Sequence, residues 1–341
     1  MVGGGTILFI PPAPANAVDA LDIGIVRHMG MDPFGREPKS PDVFKPAWLA
    51  KKLGVSPETI KDRLAKMEQS GFMRGAQVVP NFRHFGLEAS CYYYKFRDEA
   101  RVASVAKELE ALDGVIGLYF FLNNQLCVNL AWRGPLEMER RLRVLAALAG
   151  DGEFHKFNDL DMPPVSRPLS NLDWRILQAL RGDALRNLGD VAEQIGVSAK
   201  TVKRRFDRMA AEGSFFLVPK VRPDKAPGLF MASFLVFLDP NGEGAETRVR
   251  KTVEDRFVAW YCQAASPELG NIGAVTFLFA VAEIDEYRER LAKLPGVTRV
   301  DALVFRGATQ NMAWVDEAIA AKVEATAAGR AEPLTVRLAL R

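Results

Sequence analysis

Residues 191–205 read VAEQIGVSAKTVKRR, and residues 49–63 read LAKKLGVSPETIKDR. In each stretch, apolar residues at helical spacing lead into a glycine, and a serine follows two positions later. Glycine ends a helix in the left-handed conformation at little steric cost, and serine is a favoured N-cap for the next helix. Each stretch therefore predicts two short helices joined by a tight turn, which is a helix-turn-helix.

The two stretches belong to an internal repeat. Gly54 recurs as Gly196, an offset of 142 residues, and the same offset relates positions from Leu49 to Leu87 with their partners in the second half. A Leu-Asp pair precedes each motif, at 21–22 and 172–173, and the first copy carries nine extra residues within 30–42. The repeat predicts two copies of one structural unit, with a loop insertion in the first.

The repeat sets the predicted domain boundaries. The chain has 341 residues, too many for one average domain, and a proline-rich segment without periodicity separates the two copies. The predicted order is an N-terminal tail (1–18), a first winged helix-turn-helix (19–82), a first sensor-type domain (83–158), a linker (159–169), a second winged helix-turn-helix (170–225), a second sensor-type domain (226–309), and a C-terminal helix and tail (310–341).

Each helix-turn-helix is followed by a pattern of strands and helices in the order βαββαβ. Aromatic and β-branched runs such as 89–96 and 231–238 have strand length, and helix-period segments separate them. This order is typical of a ferredoxin-like sheet, so the predicted fold class is α+β, with two winged helix-turn-helix domains alternating with two ferredoxin-like domains. We expect the two sheets to pack face to face, which would make a pseudo-dimer within one chain.

Composition excludes several classes of protein. The net charge is only +3, the three cysteines are widely spaced, and no apolar run reaches the roughly 18 residues of a membrane span. The N-terminus lacks the basic flank of an export signal, so we expect a cytoplasmic protein with no membrane partner. No paired-carboxylate, nucleophile-elbow, phosphate-loop or zinc signature is present. We therefore predict no catalytic residue, no metal ligand and no cofactor.

The second helix of a helix-turn-helix enters the major groove of DNA, so its outward side chains are the candidate DNA contacts. The net charge is +4 over 198–211 but zero over 56–69, and we expect the second helix to contribute more binding energy. A solvated charged face is the alternative for both helices. The candidates are Lys200, Thr201, Lys203, Arg204, Arg205 and Arg208 in the second copy and Thr59, Lys61, Arg63 and Lys66 in the first; Arg74, Lys220 and Arg222 of the predicted wings are further candidates for phosphate contact.

The motif LD…(L/V)AxxxGVSxxT(I/V)KxR, followed by βαββαβ, resembles the Lrp/AsnC family of feast/famine regulators over 19–158 and again over 170–309. The resemblance implies sheet domains of the RAM type and regulation of transcription through double-stranded DNA. It also implies a small-molecule effector as a second partner. Members act as dimers or larger even-numbered assemblies, so a homodimer or higher assembly of this chain is a further expectation.

The effector site departs from the family pattern. A glycine-x-x-aspartate turn usually accompanies amino-acid effectors, but Asn123, Asn124 and Gln125 occupy that place in the first copy and 267–271 in the second. These three amide side chains are the candidate effector-binding residues. The alternative is that asparagine stands there because it tolerates the left-handed conformation of a tight turn.

Two other functions compete with regulation. Part of the wider group resembles siroheme decarboxylases, whose chemistry needs histidine and arginine gathered in one pocket. The three histidines here, His28, His84 and His155, are scattered along the chain and predict no such cluster. A sensor or partner subunit that has lost DNA binding is the third alternative. The alanine-rich segment from 312 predicts a helix that either mediates assembly or docks loosely.

Overall fold

The computed structural model describes residues 18–30, 41–160, 162–254, 257, 259–262 and 271–329. Residues 1–17 of the predicted tail, most of the predicted insertion, the turn at 267–270 and the end of the C-terminal tail lie outside these ranges. The helices are α1 (Ala20–Met29), α2 (Pro46–Leu53), α3 (Pro57–Ser70), α4 (Glu99–Glu110), α5 (Gly134–Ala149), α6 (Asn171–Leu180), α7 (Leu188–Ile195), α8 (Ala199–Ala211), α9 (Ala245–Glu254), α10 (Ala282–Ala292) and α11 (Ala313–Ala327). The strands are β1 (Met73–Pro80), β2 (Glu88–Lys95), β3 (Val115–Phe121), β4 (Gln125–Trp132), β5 (Glu153–Asp159), β6 (Phe215–Val221), β7 (Phe230–Leu238), β8 (Ala259–Cys262), β9 (Asn271–Leu278) and β10 (Val297–Gln310).

Both helix-turn-helix motifs form as the local sequence predicts. Gly54 and Gly196 end α2 and α7 with φ of 70° and 72°, in the left-handed region that favours glycine. Ser56 accepts a hydrogen bond from the Thr59 backbone N–H at 3.0 Å and thereby caps α3. The same cap begins α8, so the glycine and serine predictions are confirmed in both copies.

The two predicted wings form one shared sheet. Strands β1 and β6 pair with each other in antiparallel orientation, with Val79 opposite Phe216. Each strand thereby satisfies backbone groups that would otherwise stay unpaired. The two helix-turn-helix units are consequently joined by hydrogen bonds across the repeat.

The prediction that two separate sheets pack face to face is wrong. One eight-stranded sheet forms instead, in the order β5-β2-β4-β3-β10-β7-β9-β8. Residues 297–304 of the long strand β10 pair with β7, and residues 305–310 pair with β3 of the first copy. The cause is the length of β10, which supplies backbone partners to the edge of β3 and so merges the sheets. The sheet curls until its end strands β5 and β8 approach each other.

Helices cover the convex face of this sheet and leave a concave inner face. The α4 and α5 helices pack on the first half, and α9 and α10 pack on the second. Apolar side chains from both copies, including Phe121, Leu235 and Leu303, form a cluster on the inner face. The repeat therefore builds one continuous sheet with a common interior.

The C-terminal helix α11 is part of the core, so loose docking is the wrong alternative. Trp314 is 2% exposed and its ring lies 5.1 Å from that of Phe82. Asn171 donates a hydrogen bond to the Val323 carbonyl, which ties α11 to α6. None of the described helices has the length and apolarity that a membrane crossing requires.

Candidate nucleic-acid interface and central cavity

The helix α8 separates an apolar face from a cationic face. Val202 and Phe206 are buried against the second helix-turn-helix, which fixes the opposite face towards solvent. Lys200 and Arg204 are exposed and form no ion pair or hydrogen bond with any residue that the structure describes. Lys203 is also exposed but pairs with Asp207 one turn later.

Arg205 and Arg208 form ion pairs with a carboxylate of the protein itself. Both guanidinium groups donate to the same carboxylate oxygen of Asp173 at 2.9 Å, and Asp173 is fully buried at the start of α6. Burial alone raises the pKa of Asp173, but hydrogen bonds from Ser170 and Arg205 outweigh it and hold that pKa below its ordinary value. These two arginines therefore fasten α8 to α6, and they are candidates for a structural role besides DNA contact.

The first copy contains a similar ion pair between α3 and the first helix, but with one arginine in place of two. Arg63 on α3 pairs with Asp19 and with Asp22, which is fully buried at the start of α1. One oxygen of Asp22 is buried without a hydrogen-bond partner, and burial raises the pKa of this carboxyl above its ordinary value. The aspartate of each Leu-Asp pair thus joins the first helix of its unit, by an ion pair, to the second helix of the helix-turn-helix, α3 or α8, which we call the recognition helix.

The two recognition helices differ at their outward positions. Under the 142-residue offset, Glu58 stands where α8 has Lys200, and Asp62 stands where α8 has Arg204. Both acidic side chains are exposed, and Glu58 pairs with Lys61 at 3.0 Å. The zero net charge predicted for the first helix therefore arises at the surface that would face DNA.

Four predicted contacts remain to be placed. Thr59 and Thr201 each share a hydrogen bond with the N-cap serine of their helix, so both hydroxyls lie at the helix start. Lys61 and Lys66 lie on α3, exposed and half-buried respectively. Sequence reasoning overlooked Lys51 and Lys52, two exposed cations in the last turn of α2 that adjoin the first recognition helix.

The predicted wing cations lie elsewhere. Arg74, Lys220 and Arg222 line the mouth of a cavity of about 510 Å³ between the shared β1–β6 sheet and the concave face of the eight-stranded sheet. On its floor, the Tyr119 hydroxyl accepts amide hydrogen bonds from Asn129 and Gln310, each at 3.4 Å. Burial raises the pKa of Tyr119 to about 12, so this phenol keeps its proton at neutral pH.

The candidate effector amides lie in a turn. Asn123 and Asn124 have φ of 61° and 60°, so both adopt the left-handed conformation that the alternative based on turn geometry predicts. Asn124 donates a side-chain hydrogen bond to the Arg97 carbonyl. Gln125 begins β4 opposite Phe121, and the three residues do not line the cavity.

The histidines do not converge on one site. His28 ends α1, His155 is exposed and stacks on Tyr93, and His84 packs against Trp174. None of the three is among the described residues that line the cavity. Among the described residues, no group of histidine, cysteine and acidic side chains is suited to hold a metal ion.

Comparisons with known proteins agree with this geometry. A model of the AsnC-type helix-turn-helix domain matches residues 169–210, which contain α6, α7 and most of α8. The regulatory protein AsnC of Haemophilus influenzae is 34% identical over 108 residues, 31% of this chain and 66% of that protein. AsnC of Escherichia coli K12 is 36% identical over 75 residues, 22% of this chain and 49% of that protein. The chain thus spans 66% and 49% of the length of these two relatives, less than two thirds of either.

A solved structure resembles the whole two-copy arrangement. The siroheme decarboxylase NirDL, in complex with an iron-uroporphyrin III analogue, matches with a TM-score of 0.50 and 17% identity, over 88% of this chain and 98% of that chain. At this identity the likeness shows a shared fold. The fold and the matched motif define an α+β protein with two helix-turn-helix units and RAM-type sheets. Residues 169–210 match the AsnC-type helix-turn-helix domain, and the chain is similar to AsnC regulatory proteins.

Proposed function

We propose that this chain is a sequence-specific DNA-binding transcriptional regulator, and not an enzyme, that carries two unequal DNA-reading helices. The observation that carries the proposal is the pair Lys200 and Arg204. These cations are exposed and unpaired among the described residues, on the second helix of a motif whose second helix enters the major groove. The similarity to the regulatory protein AsnC supports the same function. The proposed location is the cytoplasm.

The tandem arrangement has a consequence for the DNA site. A single chain displays both helix-turn-helix units, so two half-sites about one helical turn apart, ~34 Å, are the proposed target. Because the outward residues of α3 and α8 differ in charge, the two half-sites need not be related by a palindrome. The chain acts as a pseudo-dimer, and further assembly into a homodimer is compatible with this proposal.

The test is to sequence the genomic fragments that the purified full chain retains at two salt concentrations. We expect enrichment of a limited set of promoter fragments that persists at the higher salt, since non-specific binding weakens more steeply with salt than specific binding does. The Lys200→Gln/Arg204→Gln variant is the matched control and should lose the enrichment. Retention by the variant equal to that of the wild type would contradict the proposal.

A siroheme-decarboxylase-like enzyme is the second candidate. The likeness to NirDL across both copies favours it, and so do the cations at the mouth of the cavity, which suit carboxylate groups. The absence of histidine from the described cavity lining disfavours it, because histidine is the most usual proton-transfer group. The lining offers Tyr119, Lys220 and the thiols of Cys91 and Cys127 instead. Release of CO₂ from added siroheme by the purified chain would establish this function and displace the first.

A further inference from the structure

Both helix-turn-helix units and both ferredoxin-like domains contribute residues to the cavity. Its roof is the shared sheet, with β1 from the first helix-turn-helix unit and β6 from the second. Its floor is the concave face of the eight-stranded sheet, to which both copies contribute. A molecule held here would touch every unit that the repeat produces. The volume of about 510 Å³ lies in the usual range for small-molecule sites, roughly 300–1,000 Å³.

The Tyr119 hydroxyl on the floor of the cavity is a hydrogen-bond donor without an acceptor among the described residues. Its oxygen accepts amide hydrogens from Asn129 and Gln310. A phenol carries one donor hydrogen besides its acceptor lone pairs. Because Tyr119 keeps its proton at neutral pH, this hydrogen is available to an oxygen atom on a bound molecule. The apolar side chains around it, such as Phe121 and Leu303, would enclose an apolar body.

The mouth is cationic. Arg74, Lys220 and Arg222 line it, and no carboxylate is among the described lining residues. Arg74 forms no ion pair with any described residue, Lys220 donates to the Gly182 carbonyl, and Arg222 pairs with Asp224 beside the cavity. Two positive charges therefore stay uncompensated at the mouth, which attracts an anionic group and disfavours a cationic one.

We propose that this cavity binds an organic anion with a broad apolar body, which accepts a hydrogen bond from Tyr119 and places its acidic group against the two uncompensated cations, Arg74 and Lys220. We further propose that binding is linked to DNA affinity. The link follows from the chain path, because β1 begins three residues after the end of α3 and β6 begins four residues after the end of α8. This second part rests on the proposed regulatory function, whereas the first does not.

The binding test uses a matched pair of fluorescent probes. The anion 8-anilinonaphthalene-1-sulfonate and the neutral N-phenyl-1-naphthylamine share one apolar body and differ in the sulfonate. We expect the anion to bind the full chain at one site. Arg74→Gln/Lys220→Gln should weaken it roughly tenfold or more, because charge-assisted hydrogen bonds are lost, and should leave the neutral probe within about twofold. The control Arg140→Gln, on the exposed face of α5, should change neither.

A second variant tests the location of the probes. Ser233→Trp introduces a large side chain into the cavity wall on β7 and should abolish binding of both probes. If this variant fails to fold by circular dichroism, the charge variant still decides, because Arg74 and Lys220 are both exposed. Equal affinity of the anion for the wild type and for the charge variant would overturn the proposal. Full probe binding by a folded Ser233→Trp chain would overturn it as well.

Competition identifies the source of the anion. Displacement of the probe by iron uroporphyrin and not by small aromatic acids would assign the cavity to a tetrapyrrole, and the opposite result would assign it to a smaller effector. Displacement by neither would contradict the proposed ligand class. The link to DNA is measured separately, as the change in duplex affinity at saturating probe. Probe binding needs no DNA, so a chain that binds the probe but no duplex would refute the regulatory function alone.

Discussion

The two recognition helices differ in the charge of their outward side chains, which predicts that they contribute unequally to DNA binding. Lys200 and Arg204 of α8 are replaced in α3 by Glu58 and Asp62. The change to test is Lys200→Gln/Arg204→Gln. Both side chains are exposed and unpaired among the described residues, so their neutralisation should leave the free energy of unfolding within about 0.5 kcal/mol of the wild-type value.

The expected loss follows from counterion release. Each cation that neutralises a phosphate contributes about −0.9 to the slope of log affinity against log salt, so removing two should reduce the slope by ~1.8. At ~0.1 M salt the same relation predicts that the affinity for DNA falls about eightfold for each cation removed and ~60-fold for the pair. The matched variant Lys61→Gln/Lys66→Gln should lose only a few-fold, because the acidic side chains of α3 already hold phosphates away.

The assay is fluorescence anisotropy of a labelled duplex titrated between about 50 and 300 mM salt. The reciprocal variant Glu58→Lys/Asp62→Arg gives α3 the charges of α8, and we expect it to tighten binding and steepen the salt dependence. Equal losses from the α8 and α3 pairs would refute the reasoning. An unchanged slope in the Lys200→Gln/Arg204→Gln variant would refute it too.

Three further predictions concern stability. Burial lowers the pKa of His84 to about 4, below its ordinary 6.5, so the stability it contributes is complete above pH 6.5 and falls as pH drops towards 4. At pH 5 the loss should be about 2 kcal/mol by urea unfolding and should vanish in His84→Gln. Asp173→Asn removes the one carboxylate that Arg205 pairs with among the described residues and weakens the pairing of Arg208, and it should cost about 2–3 kcal/mol. Asp22→Asn should cost less, because burial raises the pKa of Asp22 and its charged form is already disfavoured. The folded-state pKa of Asp173 is lowered, so its contribution should persist above pH 4 and disappear in stronger acid, a dependence that Asp173→Asn must lack. Trp314→Ala should cost about 3–5 kcal/mol in thermal unfolding, and a change below 1 kcal/mol would refute the assignment of α11 to the core.

Local features of this fold were predictable from the sequence, and long-range pairings were not. A glycine such as Gly196 and a serine such as Ser198 act on their own helix ends, so their roles can be read from a few neighbouring residues. The pairing of β10 with β3 joins residues 184 to 193 positions apart, and the pairing of β1 with β6 joins the two copies. Strand propensity indicates that such strands exist but does not select their partners.

The candidate DNA-binding residues were identified by position within the motif, which cannot distinguish a side chain facing solvent from one bound to its own protein. Arg205 and Arg63 follow the same repeat offset, and both bind the aspartate that begins the first helix of their unit. The repeat contained a signal for this lock, since the Leu-Asp pair recurs together with the arginine. Its meaning depends on helix packing, which only coordinates supply.

The tandem chain permits an asymmetry that a homodimer cannot have. In a dimer with twofold symmetry, every substitution in one recognition helix appears in both, so an acidic residue at the position of Glu58 would weaken both half-site contacts. Here α3 carries Glu58 and Asp62 while α8 keeps Lys200 and Arg204. The shared β1–β6 sheet and the continuous eight-stranded sheet still hold the two units in a fixed relation. One helix can thus supply most of the phosphate contacts while the other, held nearby, adds base contacts at small electrostatic cost, and the preferred duplex should be asymmetric.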